Sequence, residues 1–349
     1  MKGNLKKIGL TVLAMIVFLI IWQTGSQSLY NIEAERKISE TTTSAGAEAG
    51  EEMKKCIASG DISCQPNTLP SPKQVWHAAG SLIKDSKEIG VKKAAFKKKT
   101  AKTNASRKKK GLKAITYTGR PSFVDQIITS LKTVFFGVLL ALVIAVPIGI
   151  ILGLSPNFRS ATNWLIQIFK PVSPVVWLLL VFMIVKTLMA GSEGDKAFII
   201  SFISVGLCSM WATLVNTAVG VSTVDESYLN VARVLRLGVG KKILKVVLPS
   251  AIPMIFTGLR ITVSVSWMVL IAIELLAQSP GLGSFVWEEF QNGANDSNAK
   301  ILVAMFVIGI IGFALDKIML FIQGFASFDD KQKVSPFAFI TKFLTKKTA

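Results

Sequence analysis

Six long apolar runs constrain the fold of this chain more than any other feature of its sequence. They occupy 8–22, 130–154, 164–185, 197–219, 252–277 and 301–322. Each is near the ~20 residues that a helix needs to cross the hydrocarbon core of a bilayer. Lipid offers a backbone no hydrogen-bond partners, and none of the runs alternates as the strands of a barrel do. The sequence therefore predicts an all-α integral membrane protein, a bundle of six transmembrane helices.

Polar stretches divide the chain into regions. We predict a transmembrane anchor over 1–23 with its amino terminus inside, although the basic start and short apolar core also fit a signal peptide. A polar extracytoplasmic insertion follows over 24–123. A core with five further spans covers 124–325, and a cytoplasmic tail covers 326–349. Six spans place both ends of the chain on the inner side of the membrane.

The insertion ends in a strongly basic run. Residues 84–120 hold fourteen Lys or Arg and two acids, a net charge of +12 within a chain total of +19. Long loops cross membranes largely regardless of charge, so this run is compatible with the predicted orientation. Phe96 and Tyr117 are its only aromatic residues, which makes nucleic acid a poor partner. An acidic binding protein, anionic lipid, an anionic substrate and a solvated tether all stay open as readings of this run.

A second polar stretch, 225–253, lies between the fourth and fifth apolar runs and must face water. Apolar residues recur at three-to-four spacing over 228–237, which predicts a short amphipathic helix that a glycine pair ends. A second helix is predicted to start at Lys241. It stops before the Leu-Pro pair at 248–249, because a residue that precedes proline is disfavoured in helical conformation. Such a pattern on the inner face is typical of an element that docks a soluble partner.

This stretch resembles the cytoplasmic coupling loop of binding-protein-dependent ABC importer permeases, and we place that loop over 222–251. The family pattern reads Glu-Ala-Ala, three residues, Gly, nine residues, Ile, one residue, Leu-Pro. The matching positions here are Asn230, Val231, Ala232, Arg236, Val246, Leu248 and Pro249. Asn stands for Glu and Arg for Gly, while Asn-Val-Ala is usual in the nitrate branch of the family.

The resemblance implies a type I ABC importer permease (MetI-like) bundle in a bacterial inner (plasma) membrane. Such a permease is no enzyme and carries no cofactor. ATP and Mg²⁺ belong to partner ATPase subunits, an extracytoplasmic substrate-binding protein delivers the cargo, and a second permease copy, surrounded by lipid, completes the transporter. The residues expected at the ATPase, with the glycine that ends the helix, are Tyr228, Leu229, Asn230, Val231, Ala232, Arg233, Leu235, Arg236, Leu237, Gly238, Leu248 and Pro249.

Further segments are similar to the nitrate branch, among them FKPVSPVVW, SWMVLIAIELLAQSPGLGSFVWEEFQN and IGIIGFALDKIM. The similarity implies import of a small anion, most of all nitrate, by ATP-driven alternating access. Trp177 and Trp211 lack the proline that this branch usually carries after each tryptophan, so a sulfonate such as taurine, cyanate or bicarbonate stays open as cargo. The alternative of another class is an ATPase-independent channel or scaffold, for which the coupling loop would be dispensable.

Polar residues inside the apolar runs are costly in lipid and mark either a pathway or a contact between helices. Glu274 is read as a gate, as a member of an ion pair, or as a carboxylate that reaches the outer interface. Arg260 is a cationic candidate near an inner end. The remaining pathway candidates are Ser173, Trp177, Ser209, Trp211, Thr213, Asn216, Ser264 and Trp267.

The three cysteines and the one histidine indicate little chemistry. Cys56 and Cys64 share the polar insertion, where a disulfide between them is possible outside the membrane. Cys208 lies in an apolar run and is expected to be a small core residue. His77 stands alone, so no metal site is predicted.

Overall fold

The structure, a computed structural model, describes residues 2–326 apart from 62, 113, 191–194 and 295, without the side chains of 2–8 and 325–326. Every regular element in this part of the chain is helical, which confirms the predicted all-α class. The elements are α1 (Lys2–Ala45), α2 (Ala47–Ser59), α3 (Pro72–Lys109), α4 (Phe123–Leu154), α5 (Pro156–Phe169), α6 (Pro174–Leu188), α7 (Lys196–Ser222), α8 (Glu226–Val234), α9 (Val239–Lys242), a π-helical turn (Ile243–Val247), α10 (Leu248–Ala277), α11 (Leu282–Asn292) and α12 (Ser297–Ala326). The predicted tail lies, from residue 327 onward, outside the described residues.

Five helical segments of the described chain are long and apolar enough to cross a membrane. They are Gly9–Ala45, Phe123–Leu154, Lys196–Ser222, Val239–Ala277 and Ser297–Gly324. The third predicted span, 164–185, is instead a pair of helices, α5 and α6, bent by 100° at their junction. Pro174 begins α6 and Pro171 lies in the break, and neither has a backbone N–H to continue a helical ladder. The pair raises the number of spans to six if it counts as one.

Two helices extend through much of the polar insertion. The first helix does not end at residue 23 but continues to Ala45, and Arg36 pairs with Glu33 one turn away at 2.6 Å within the added length. The basic run is also not a loop, because α3 extends through Lys109 instead of ending near residue 83. Lys and Ala have high helix propensities, and exposure to water keeps the repulsion between neighbouring lysines small.

The chain divides into two compact units, Met1–Gln126 with Phe285–Val307, and Ile127–Ser284 with Ile308–Ala349. In the first unit, the residues after α2 return along α1. The Tyr30 hydroxyl donates to Gln65 Oε1 at 2.6 Å, and the Trp22 indole donates to the Pro70 carbonyl at 3.0 Å. Cys56 and Cys64 form a disulfide with Cα atoms 5.9 Å apart at the far end of this hairpin.

The core of the first unit forms between α3 and helices that come much later in the chain. Its buried side chains come from the first turns of α3, from α11 and from the start of α12: Val75, Ala78, Leu82, Phe285, Ala299, Val303 and Ala304. The Ser71 side chain caps α3, accepting from the Gln74 backbone N–H while the Gln74 side chain accepts from the Ser71 N–H. Helix α3 is therefore capped at its start and packed along its first turns.

Close contact at glycines organises the second unit. A Cβ atom at Gly149 of α4 would lie 2.6 Å from Cβ of Thr217, and one at Gly258 of α10 would lie 2.7 Å from Cβ of Asn216. Both partners belong to α7, which is the most continuously buried of these helices. Apolar residues gain little by leaving lipid, so spans associate where small residues let backbones approach. Helix α7 is thereby held between α4 and α10.

Candidate functional site

The predicted docking helix exists as α8, between the end of α7 and the start of α9. Asp225 is its N-cap and accepts a hydrogen bond from the Ser227 backbone N–H at 2.8 Å. Hydrogen bonds from the Ser227 hydroxyl and from that N–H hold the pKa of Asp225 below its ordinary value, and this carboxylate is fully exposed. The cap fixes where the helix starts and so fixes its direction away from α7.

One side of α8 packs against the chain itself. Ala232 is 2% exposed, and Leu229 packs on a cluster of buried residues at the inner ends of α7 and α10. The cluster consists of Val221, Val247, Ala251 and Ile255. The backbone N–H of Leu237 also donates to the Ala232 carbonyl at 3.0 Å. This side joins α8 to two spans.

The other side of α8 exposes large apolar residues. The exposed fractions are 59% for Tyr228, 57% for Val231, 82% for Val234 and 63% for Leu235. Of the other residues expected at the ATPase, Ala232 is buried and Leu229 and Leu237 are half-buried within the chain itself. Val234 was missing from the predicted set, although its spacing of three from Val231 puts both on the same side.

The two arginines of α8 differ in conformation. Arg233 lies in the last turn and its Nη1 donates to Asn230 Oδ1 at 2.9 Å. Arg236 follows the helix with φ of 48°, in the left-handed region that suits glycine. Its N–H donates to the Arg233 carbonyl at 2.9 Å, which closes the helix end. This geometry explains why the coupling-loop pattern of the family has glycine at this position.

The predicted proline elbow at Leu248 was wrong. Gly238 is the N-cap of α9, and the chain then passes through the π-helical turn Ile243–Val247 directly into α10. Pro249 sits at the start of α10, directly after the π-helical turn, and does not end the helix. The chain continues through this π-helical turn into α10 without a bend large enough to end the helix.

Two of the predicted pathway hydroxyls, those of Ser209 and Thr213, join α7 to α10. The hydroxyls of Thr213 and Thr262 are 2.7 Å apart, and Ser266 donates to Ser209 Oγ at 2.8 Å. Asn216 Nδ2 donates to the carbonyl of Ala212 at 2.8 Å, within α7. These groups are already satisfied by protein partners, which is the arrangement expected of contacts between spans.

Four other candidate pathway residues also form hydrogen bonds with groups of the protein. Arg260 makes two hydrogen bonds to Asp316 of α12, at 2.7 and 3.2 Å. The Ser264 hydroxyl donates to the Arg260 carbonyl at 3.1 Å, and Trp267 Nε1 donates to the Ile308 carbonyl at 3.0 Å. Ser173 caps α6, accepting from the Val175 N–H at 3.4 Å. Asp316 was not predicted as the partner of Arg260. Its position as an acidic residue inside the last apolar run was the sequence feature that could have identified it.

Trp177 and Trp211 form an aromatic group with Phe169. The Trp177 and Trp211 ring centroids are 6.4 Å apart, and Phe169 stacks on Trp211 with an interplanar angle of 3°. Within the described residues, both indole Nε1 atoms are buried without a hydrogen-bond partner. Buried N–H groups are rarely left without acceptors. Of the predicted pathway residues, these two therefore have free donors.

Glu274 is fully buried near the end of α10. The Ser130 hydroxyl lies 2.9 and 2.8 Å from its two carboxylate oxygens, and the Gly283 N–H donates to Oε2 at 3.1 Å. Ser130 in turn accepts from the Leu282 N–H at 2.9 Å. Gly281 lies directly against the carboxylate, leaving no room for a Cβ atom. The carboxylate thus fixes the turn 279–283 onto α4 and α10.

The partners of Glu274 were not identified from the sequence. Ser130 lies 144 residues away, and periodicity carries no information on such a pairing. The Gly-Leu-Gly at 281–283 was the available signal, because glycine allows a backbone to approach a side chain closely. Among the described residues, no group of three or more His, Cys, Asp or Glu side chains is arranged to hold a metal ion.

Comparison with known proteins gives consistent matches. The family of binding-protein-dependent transport system inner membrane components matches residues 145–327. The nitrate import permease protein NrtB of Synechococcus elongatus is 33% identical over 194 residues, 56% of this chain and 66% of that protein. The bicarbonate transport system permease protein CmpB of the same species is 36% identical over 201 residues, 57% of this chain and 67% of that protein. The chain thus spans just under two thirds of the length of the NrtB relative.

A solved structure is also similar. A chain of the MetNI methionine ABC transporter, determined in inward facing conformations, matches at 16% identity with a TM-score of 0.47. The match covers 56% of this chain and 94% of that one.

Arg236→Gly is expected to stabilise the chain, because glycine adopts the left-handed conformation without strain. The gain in free energy of unfolding should be about 1 kcal/mol. Arg233→Gly removes the same charge inside the helix and should cost about 1 kcal/mol. Unfolding of the purified variants in detergent, followed by circular dichroism, measures both. Changes of the same sign would contradict the assigned backbone conformation.

Glu274→Ala is expected to destabilise the chain by about 2 kcal/mol or more, because it leaves buried donors at Ser130 and Gly283 without an acceptor. Ser130→Ala should add little to a chain that already carries Glu274→Ala, since both changes remove one network. Glu288→Ala, at an exposed position nearby, should change stability by no more than about 0.5 kcal/mol. The same unfolding assay tests this, and fully additive losses would contradict the network.

Proposed function

This chain belongs to the family of binding-protein-dependent transport system inner membrane components, and from that premise we propose that it is the permease subunit of an ABC importer for a small anion. In this proposal the chain hydrolyses no ATP. Partner ATPase subunits bind ATP and Mg²⁺, an extracytoplasmic binding protein delivers the cargo, and a second permease copy completes the pathway. The proposed setting is the inner membrane of a bacterium.

The observation that carries this proposal is the exposed apolar side of α8. Val231, Val234 and Leu235 are more than half exposed on a helix whose other side is packed. An amphipathic helix that presents apolar anchors at this spacing suits a hydrophobic groove on a soluble partner. Arg233 and Arg236 border these anchors and suit the polar rim of such an interface.

The packed side of α8 supplies a route from the ATPase to the spans. Leu229 contacts the buried cluster that includes Val221 of α7 and Ala251 of α10. A displacement of α8 by closing ATPase subunits would therefore move the inner ends of both helices. Packed interiors resist gradual deformation and favour a change between discrete arrangements. ATP-driven alternating access follows if these arrangements open the pathway to opposite sides.

Nitrate is the cargo that we propose. Relatives named for nitrate and for bicarbonate import support a small oxyanion. The buried indole N–H groups of Trp177 and Trp211 lack protein acceptors in the described chain and would donate to an anion without adding charge. A sulfonate such as taurine, cyanate and bicarbonate are the alternative cargoes.

Val234→Glu is expected to abolish copurification of the ATPase subunits, because it puts a charge at the most exposed apolar position of α8. The chain itself should fold normally, since Val234 has little packing to lose. The measurement is the amount of ATPase subunit that elutes with the tagged permease in detergent. An ATPase-independent channel or scaffold, in contrast, predicts that this variant behaves as the wild type does.

Ile32→Glu is the matched control for this experiment. Ile32 is 61% exposed in α1, far along the chain from the docking helix. This variant should retain the ATPase subunits in full. If Val234→Glu also retains them and supports uptake of the anion, α8 is not the docking element.

A further inference from the structure

Helix α3 exposes one continuous stripe along nearly its whole length. Its members follow one another at spacings of three or four residues and all are exposed. They are Trp76, Gly80, Ile83, Lys87, Val91, Ala94, Lys98, Ala101 and Ala105. Trp76 is 81% exposed, Ile83 59% and Val91 70%. Large apolar side chains so far from the core require an explanation beyond packing within the chain.

Lysines surround this stripe, whereas the acids of α3 lie outside it. Lys84, Lys97 and Lys102 flank the stripe, and Lys87 and Lys98 are part of it. The two acids are Asp85 and Glu88, of which Asp85 pairs with Arg120 on the packed side at 3.9 Å. The exposed side of α3 therefore carries both basic and large apolar side chains.

The opposite side of α3 is covered by the segment that follows it. The Phe96 and Tyr117 rings are 5.6 Å apart, and Asn104 both accepts from the Ile115 N–H at 2.7 Å and donates to its carbonyl at 3.0 Å. These contacts use the one aromatic pair of the basic run. They also show that the stripe is the side left uncovered.

The contacts of α3 within the first unit keep it near the ends of apolar runs. Its first residue follows Pro70 and Ser71, and the Pro70 carbonyl accepts from Trp22 at the end of the first apolar run. Its middle reaches the start of α4, where Lys93 pairs with Asp125. Between these points, Leu82 packs in the cluster that contains Val303 of α12. Helices α1, α4 and α12 thus contact α3 or the residues just before it, each near an end of its apolar run.

We propose that the exposed stripe of α3 lies on the surface of a membrane that contains anionic lipid. Tryptophan favours the interface between lipid and water, while Ile83 and Val91 would insert among the first acyl carbons. The lysine stems lie along the apolar surface and bring their ammonium groups to the phosphates. This binding surface does not depend on which ion, if any, the chain transports.

Site-specific fluorescence in nanodiscs tests this proposal on the full chain. Cys208→Ser removes the free cysteine, and Cys56 and Cys64 stay in their disulfide. Ile83→Cys and Val91→Cys place a bimane label in the stripe, and Lys92→Cys places it on α3 away from the stripe. With a quencher on the upper acyl carbons and phosphatidylglycerol present, labels at 83 and 91 should be quenched at least about twofold more than at 92.

The lysines are tested with a matched pair of variants. Lys87→Gln with Lys98→Gln should reduce the quenching at position 83 to the level seen in phosphatidylcholine alone. Lys92→Gln with Lys99→Gln removes the same charge away from the stripe and should leave it unchanged. Equal quenching at 91 and 92 would overturn the proposal. Quenching that is the same with and without phosphatidylglycerol, or a label at 83 that is shielded only when a soluble acidic protein is added, would overturn it as well.

Discussion

The close approach of α4, α7 and α10 at glycines is the interaction on which the second unit depends. Even a single methyl group at Gly149 or Gly258 would clash with α7, which both glycines face. Within lipid, dispersion contacts and interhelical hydrogen bonds replace the hydrophobic effect as the source of stability. The hydroxyl pairs between α7 and α10 are possible because the backbones approach so closely. The position of helix α8 depends on this contact, because the packed side of α8 contacts the end of α7 and the start of α10.

Two fixed points then bracket α10. At its inner end, the π-helical turn carries the chain from α9 into the span, next to the cluster that holds α8. Near its other end, Glu274 binds the turn 279–283 and Ser130 of α4. A buried carboxylate without such donors would be costly, so the network specifies one arrangement of these elements. Because α10 is joined to neighbouring elements at both ends, it is suited to move together with them as a rigid body. The proposed transport cycle needs this property.

Hydropathy predicted most of the helices and their class, because the bilayer enforces long apolar segments in a way that few local choices can change. The same reasoning failed at prolines. Pro171 and Pro174 accompany a bend of 100°, whereas Pro249 is accepted in a continuous helix. Pro174 and Pro249 both lie in the first turn of the helix that follows, so the local sequence does not reveal which of them accompanies a bend.

The candidate site was predictable in part for a related reason. Periodicity showed that α8 is amphipathic, but it cannot tell which side the chain itself covers, so the predicted set included the buried Ala232 and omitted the exposed Val234. The pairing of Glu274 with Ser130 and of Arg260 with Asp316 joins residues far apart in the sequence. Such pairs follow from the tertiary arrangement, and a single sequence contains no direct signal for them.

The most direct test of the central claim is ATP hydrolysis by liposomes that contain this chain, its partner ATPase and its substrate-binding protein. Nitrate, taurine, bicarbonate and cyanate are added in turn. The account predicts that nitrate raises the rate of hydrolysis and that its uptake follows. An intact complex whose hydrolysis responds to none of these anions would contradict the account.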